Sequence, residues 1–127
     1  MVRLDQGYNE DMKINGFEEI QSWQRAKSLT IQIYKIFEKS RDYGLKDQIQ
    51  RSSVSIMNNI AEGFERQSNK ELRNFLYIAK GSCGEVRSML NLALALSYIN
   101  ETDHKKLNEL SIDTSRLLSA FIKTLTP

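Results

Sequence analysis

Apolar residues recur three and four positions apart through most of the chain, the spacing of helices that bury one face. In the first such segment Ala26, Leu29, Thr30, Ile33 and Phe37 share a face, with Trp23 on its shoulder, and predict a helix over 17–40. The break at Arg41-Asp42-Tyr43-Gly44 ends it, the glycine supplying a permissive backbone. A second stripe, Leu45, Ile49, Ser53, Ile56, Ile60 and Phe64, predicts a helix over 45–64, softened in its last turn by Gly63. Ser68-Asn69-Lys70-Glu71 then has the spacing of a capping box, in which the serine hydroxyl takes the amide of Glu71 and that carboxylate reaches back. The third helix is expected to start near Asn69 and run to Tyr98, about 45 Å at 1.5 Å per residue. Its buried face is Leu72, Leu76, Ala79, Cys83, Val86, Leu90 and Leu94. After a turn at 100–103, with Thr102 as N-cap, a fourth helix over 103–125 presents Leu107, Leu110, Thr114, Leu117, Leu118, Phe121 and Leu125.

Three short connections make consecutive helices antiparallel neighbours. The expected fold class is all-α, an antiparallel up-down-up-down four-helix bundle over 17–127. Residues 1–16 have no sustained period and end at Asn15-Gly16, so they read as a flexible N-terminal arm.

Composition supports this picture. With 127 residues the chain suits one domain with one core. Its only proline is Pro127 and it has six glycines, so proline interrupts none of the periodic segments. Net charge is +2 and the pI about 8.7, a mild basic bias that permits nucleic-acid binding without demanding it. Cys83 is the only cysteine, which excludes an internal disulfide and a thiolate metal cage and suits a reduced, cytoplasmic setting. The N-terminus is polar, without the apolar core of a signal peptide. No stretch approaches the roughly eighteen apolar residues of a membrane span, so a soluble protein without a membrane partner is expected.

Enzyme chemistry finds little support. His104 is the only histidine, and Glu101-x-x-His104 matches half of a di-iron bundle motif. The second copy and the mid-helix carboxylates that such a site needs are missing, and both residues fall at a helix start, where a solvated histidine is the simpler reading. Four-helix nucleases place an arginine a few residues ahead of a histidine, whereas the nearest arginine before His104 is Arg87. No Ser/His/acid or Cys/His set forms without this same histidine. Cys83 lies on an apolar stripe and reads as a small buried hydrophobe. No enzyme activity, cofactor or metal is expected.

Two helix faces carry more information. Arg51, Ser55, Asn58 and Glu62 line up opposite the core stripe of the second helix, either as a short-chained solvent face or as a polar seam packed on another helix or subunit. Val54, Met57 and Ala61 add apolar flanks, which self-association or both adjacent helices would cover. On the third helix Arg73, Lys80 and Arg87 recur every seven residues and drift by about 20° per step. They form a basic line about 21 Å long. Tyr77, Gly84 and Asn91 lie beside it, and Glu71 and Glu85 fall on the other flank. This line suits either phosphate contacts or plain solvation. Lys70 and Arg51 are secondary candidates for nucleic-acid contact.

The chain also resembles the 23S rRNA-intervening-sequence protein family. Phe17, Ile20, Trp23 and Ala26 match its F-x-x-L-x-x-W-x-x-A opening. Leu45, Gln48, Ile49, Arg51, Val54, Ser55, Ile56, Asn59, Ile60, Ala61, Glu62 and Gly63 match its second-helix signature. Arg66, Ser68, Lys70, Glu71, Phe75, Leu76, Ile78, Ala79, Gly81 and Ser82 match the run that follows, and Ser97-Tyr98-Ile99 stands where the family has Gly-Tyr-Ile. Gln50 replaces the first arginine of a usual pair, which weakens a nucleic-acid inference. Met57 replaces a usual proline, which predicts a straighter second helix. The resemblance implies a homo-oligomer, a pentamer in some relatives, acting as an accessory factor that binds RNA or DNA. Its alternatives are an accessory variability determinant of a diversity-generating retroelement, partnered with a reverse transcriptase, or a structural oligomer that binds no nucleic acid.

Overall fold

A computed structural model of the protein describes residues 14–125. A 3-10 turn, Phe17–Glu19, leads into four helices: α1 Gln21–Ile36, α2 Tyr43–Phe64, α3 Asn69–Ala95 and α4 Glu101–Thr124. There is no β-strand among the described residues. Each helix packs on its sequence neighbours, α1 closes on α4, and the diagonal pairs make no close approach. With connections spanning only 37–42, 65–68 and 96–100, this is the up-down-up-down bundle expected from the hydrophobic pattern. No helix among the described residues is long and apolar enough to cross a membrane.

The predicted stripes form the core. Ala26, Leu29 and Ile33 of α1, Ile49, Ile56 and Ile60 of α2, Leu72, Leu76, Val86 and Leu90 of α3, and Leu107, Leu118 and Phe121 of α4 are fully buried. Each large one contributes about 1.5–3 kcal/mol relative to exposure. Small hydroxyls fill the gaps by bonding their own helices: Thr30 Oγ1 donates to the Ala26 carbonyl and Thr114 Oγ1 to that of Leu110, both at 2.8 Å. Ser111 and Ile122 are buried on α4 as well, while Leu110, Leu94 and Phe64 are only partly covered.

Several helix ends differ from the sequence-based expectation, each for a local reason. Ile20 is extended (φ −74°, ψ 124°), so the first predicted helix divides into a 3-10 turn and α1, and α1 stops at Ile36. Helix α2 begins at Tyr43 because Asp42 caps it, accepting the Leu45 amide at 3.1 Å; Gly44 therefore lies inside the first turn. At the start of α3 the Ser68 hydroxyl takes the Glu71 amide at 3.2 Å as expected, but the Glu71 carboxylate returns to that hydroxyl, at 3.4 Å. Helix α3 ends at Ala95, where Ser97 turns left-handed (φ 59°). The amides of Ser97 and Tyr98 donate to the carbonyls of Leu94 (3.0 Å) and Ala93 (2.9 Å), closing a Schellman motif. Asn100, rather than Thr102, caps α4 by accepting the Asp103 amide at 2.7 Å.

The bundle also begins earlier than expected. Ile14 is buried in the core, and the amides of Asn15 and Gly16 donate to Glu19 Oε2 at 2.8 and 3.2 Å, so 14–16 belong to the bundle. The rest of the predicted arm, 1–13, lies outside the described residues. Gly63 serves packing rather than softness: a Cβ there would sit 2.8 Å from Phe75 Cβ and 3.0 Å from Leu72 Cδ1. Helix α2 runs unbroken through Met57.

Candidate nucleic-acid interface

Seven-residue spacing keeps side chains close to one line of a helix, and α3 and α4 each carry a cation pair so spaced. Lys80 and Arg87 of α3 and Arg116 and Lys123 of α4 line a groove of about 410 Å³ between the two helices. Ser115 and Ser119 add hydroxyls, and no carboxylate of the described residues contributes to its walls. The ion pairs Arg25–Asp113, Arg51–Asp47 and Arg66–Glu62 lie elsewhere. Lys80, Arg87 and Arg116 have no carboxylate in ion-pair reach among the described residues. Unneutralised cations in a cleft focus a positive potential that attracts polyanions.

The groove is braced from beneath. Arg87 Nη1 donates to Ser111 Oγ at 3.3 Å, and the buried Ser111 donates in turn to the Cys83 carbonyl at 3.2 Å. A hydroxyl of α4 therefore fixes a guanidinium of α3 against a wall of the groove. Burial of Cys83 pushes its thiol up to about 12, against the opposing pull of the Arg87 charge, so the sulfur stays a neutral core atom.

The five residues singled out from the sequence are placed differently from one another. Lys80 and Arg87 meet in the groove. Arg73 continues their line toward the N-terminus of α3, half-buried, its guanidinium 5.8 Å from the Tyr77 ring centroid and its Nε buried without a hydrogen-bond partner. Lys70 is exposed one turn earlier. Arg51 stands apart, on the α2 side of α3 beside Glu85, with its Nε 2.9 Å from Asp47 Oδ2. A carboxylate already partners it, so it adds little to the groove's field. Arg116, Lys123, Ser115 and Ser119 were not among the sequence candidates, although Arg116 and Lys123 repeat the seven-residue spacing visible on α3.

Other expected features resolve into internal contacts. Of the proposed polar ridge on α2, Ser55 packs inward, 3.1 Å from Ser82 Oγ of α3 and accepting from Asn59 Nδ2 at 2.9 Å. Glu62 turns to Arg66 at 2.7 Å and Asn58 is exposed, so the ridge is a seam at Ser55 alone. His104, in the first turn of α4, is partly exposed, with Nε2 2.9 Å from Asn91 Oδ1 in a cross-helix pair at the surface. Asn91 is thereby engaged within the bundle. Among the described residues no group of three His, Cys, Asp or Glu could hold a metal ion.

Residues 18–120 match the model of the 23S rRNA-intervening sequence protein family. No curated protein matches the chain. A crystal structure of a protein with unknown function from the S23 ribosomal protein family of Bacteroides thetaiotaomicron superposes with a TM-score of 0.76 at 28% identity. That match covers 81% of this chain and 99% of the other. A family match over most of the chain, agreeing with the motifs of α2 and α3, identifies this bundle as a member of the 23S rRNA-intervening sequence protein family.

Proposed function

We propose that this protein is a non-enzymatic accessory factor of the cytoplasm that binds nucleic acid through the groove between α3 and α4. The observation that carries the reading is the convergence of Lys80, Arg87 and Arg116 on one cleft, with Lys123 at its end and no carboxylate of the described residues in its walls. Cations that serve only solubility are normally interspersed with acids. Here Lys80 and Arg87 of α3 face Arg116 of α4, at a cost in repulsion that a bound phosphate chain offsets.

Self-association is part of the same proposal. Ile31 and Tyr34 on α1 and Ile78 and Leu92 on α3 are about half exposed, more apolar surface than the described bundle covers. A cyclic homo-oligomer, a pentamer in the form the resemblance implies, would cover such faces and repeat the groove around its axis. These same faces favour the second reading, a structural oligomer whose charges only keep it dissolved. A reverse transcriptase gene beside this one would assign the accessory role to a retroelement.

Replacing Lys80, Arg87, Arg116 and Lys123 together with glutamine separates the two readings. The expected result is loss of oligonucleotide binding by fluorescence anisotropy at low salt, with the oligomer unchanged by light scattering. Absence of binding by the unaltered protein, or equal binding by the variant, would overturn nucleic-acid recognition through this groove.

A further inference from the structure

We infer that the nucleic acid taken by this surface is single-stranded, with a base stacked on Tyr77. The inference rests on the proposed nucleic-acid reading and narrows its substrate class. Tyr77 stands on α3 one turn before Lys80 and Gly81, and half of its surface is exposed. Three other described tyrosines are exposed, Tyr34, Tyr43 and Tyr98, and Tyr98 is tied to Asp42 through its hydroxyl at 3.1 Å. Tyr77 differs from them in having a guanidinium beside its ring. The Arg73 guanidinium sits 5.8 Å from its ring centroid, and Lys80 and Arg87 follow on the same line of the helix.

The backbone beyond the ring is bare. A Cβ at Gly81 would meet nothing within 4 Å, and one at Gly84 would meet only Arg87 Nη2 at 3.9 Å. Both glycines lie in the middle of the longest helix, where glycine is a poor helix former. Gly63 repays a similar disadvantage by admitting Phe75 and Leu72, whereas these two admit nothing within the bundle. They leave a low floor next to an aromatic ring, with the basic line on one flank and Glu85 on the other.

Each part suits an unpaired strand. An aromatic side chain beside a positively charged track is the device by which proteins hold single-stranded nucleic acid, since every base offers a π face. In a duplex those faces are already stacked inside the helix, out of reach of a ring on the side of a rod. The groove between α3 and α4, about 410 Å³, has room for a nucleotide's phosphate and sugar. Lys80 and Arg87 would hold phosphates while Tyr77 takes a base.

The test compares an RNA of about 12 nucleotides, free or annealed to its complement, with the full chain and with Tyr77→Leu, Tyr77→Phe and Lys80→Gln variants. Leucine keeps apolar cover beside Arg73 but has no π face. The expected result is about a tenfold loss of single-strand affinity in Tyr77→Leu, full affinity in Tyr77→Phe, and no change for duplex in either. Quenching of tyrosine fluorescence by the single strand, lost in Tyr77→Leu, would report the same contact. Equal single-strand binding by Tyr77→Leu, with Lys80→Gln weakened, would overturn base stacking and leave the groove reading standing. Failure of the unaltered protein to bind either RNA would remove the groove reading and this inference with it.

Discussion

Ser111 on α4 joins Arg87 to the backbone of α3, accepting from the guanidinium at 3.3 Å while donating to the Cys83 carbonyl at 3.2 Å. One buried hydroxyl thus holds both the helix seam and the posture of a groove cation. Ser111→Ala removes both bonds in a site without exposure. The expected cost is about 1–2 kcal/mol, seen as a lower urea midpoint with an unchanged slope. Oligonucleotide affinity should fall less than in Arg87→Gln, since the charge remains and only its placement loosens.

Two helical glycines should respond to alanine with opposite signs. At Gly63 the added methyl lands 2.8 Å from Phe75 Cβ, and both backbones are fixed within packed helices, so overpacking of about 1–3 kcal/mol is expected. At Gly81 the methyl enters open space, and the helix gains about 1 kcal/mol from its better propensity. Denaturation of both variants under one set of conditions checks the pair. Stabilisation at Gly63 would mean that α2 and α3 pack less closely than described.

Ser97 occupies a left-handed position (φ 59°), which costs a residue with a side chain roughly 1–2 kcal/mol. Ser97→Gly keeps the Schellman bonds to Leu94 and Ala93 and relieves that cost, at the expense of some added freedom in the unfolded chain. A net stabilisation of about 0.5–1 kcal/mol is expected in thermal or urea unfolding.

How far the sequence anticipates such details depends on what each one requires. The stripes of α1 to α4 were legible because burial of one helix face imposes a spacing that local sequence displays. Helix ends were less so, because several residues compete for each cap. Asn100 and Thr102 both have a suitable side chain, and Asn100 is the one that reaches Asp103. Gly63 misled because its reason lies on another helix, in Phe75. The groove was half legible for the same kind of reason: Lys80 and Arg87 show as a line on α3, but their pairing with Arg116 and Lys123 depends on which side of α3 the fourth helix packs.

The thiol of Cys83 provides a pH-dependent check on the core beneath the groove. It ionises near 9.0 when unperturbed and near 12 in the fold, where burial disfavours the thiolate. Between those values the unfolded chain holds fewer protons than the folded one, so this contribution to stability is complete below pH 9.0 and declines as pH rises toward 12. Cys83→Ala should therefore lose less stability than the parent protein over that interval, other groups being common to both. At pH 8 the native thiol should resist alkylation until the chain is unfolded.

The salt dependence of oligonucleotide affinity bears most directly on the assignment of the groove. Each cation that neutralises a phosphate of a single strand contributes about 0.7 to the slope of log affinity against log salt. Replacing Lys80, Arg87 or Arg116 singly with glutamine should reduce the magnitude of that slope by about this amount, while Arg51→Gln, already paired with Asp47, should leave it nearly unchanged. An unaltered slope in all three groove variants, or a reduction confined to Arg51→Gln, would contradict binding between α3 and α4.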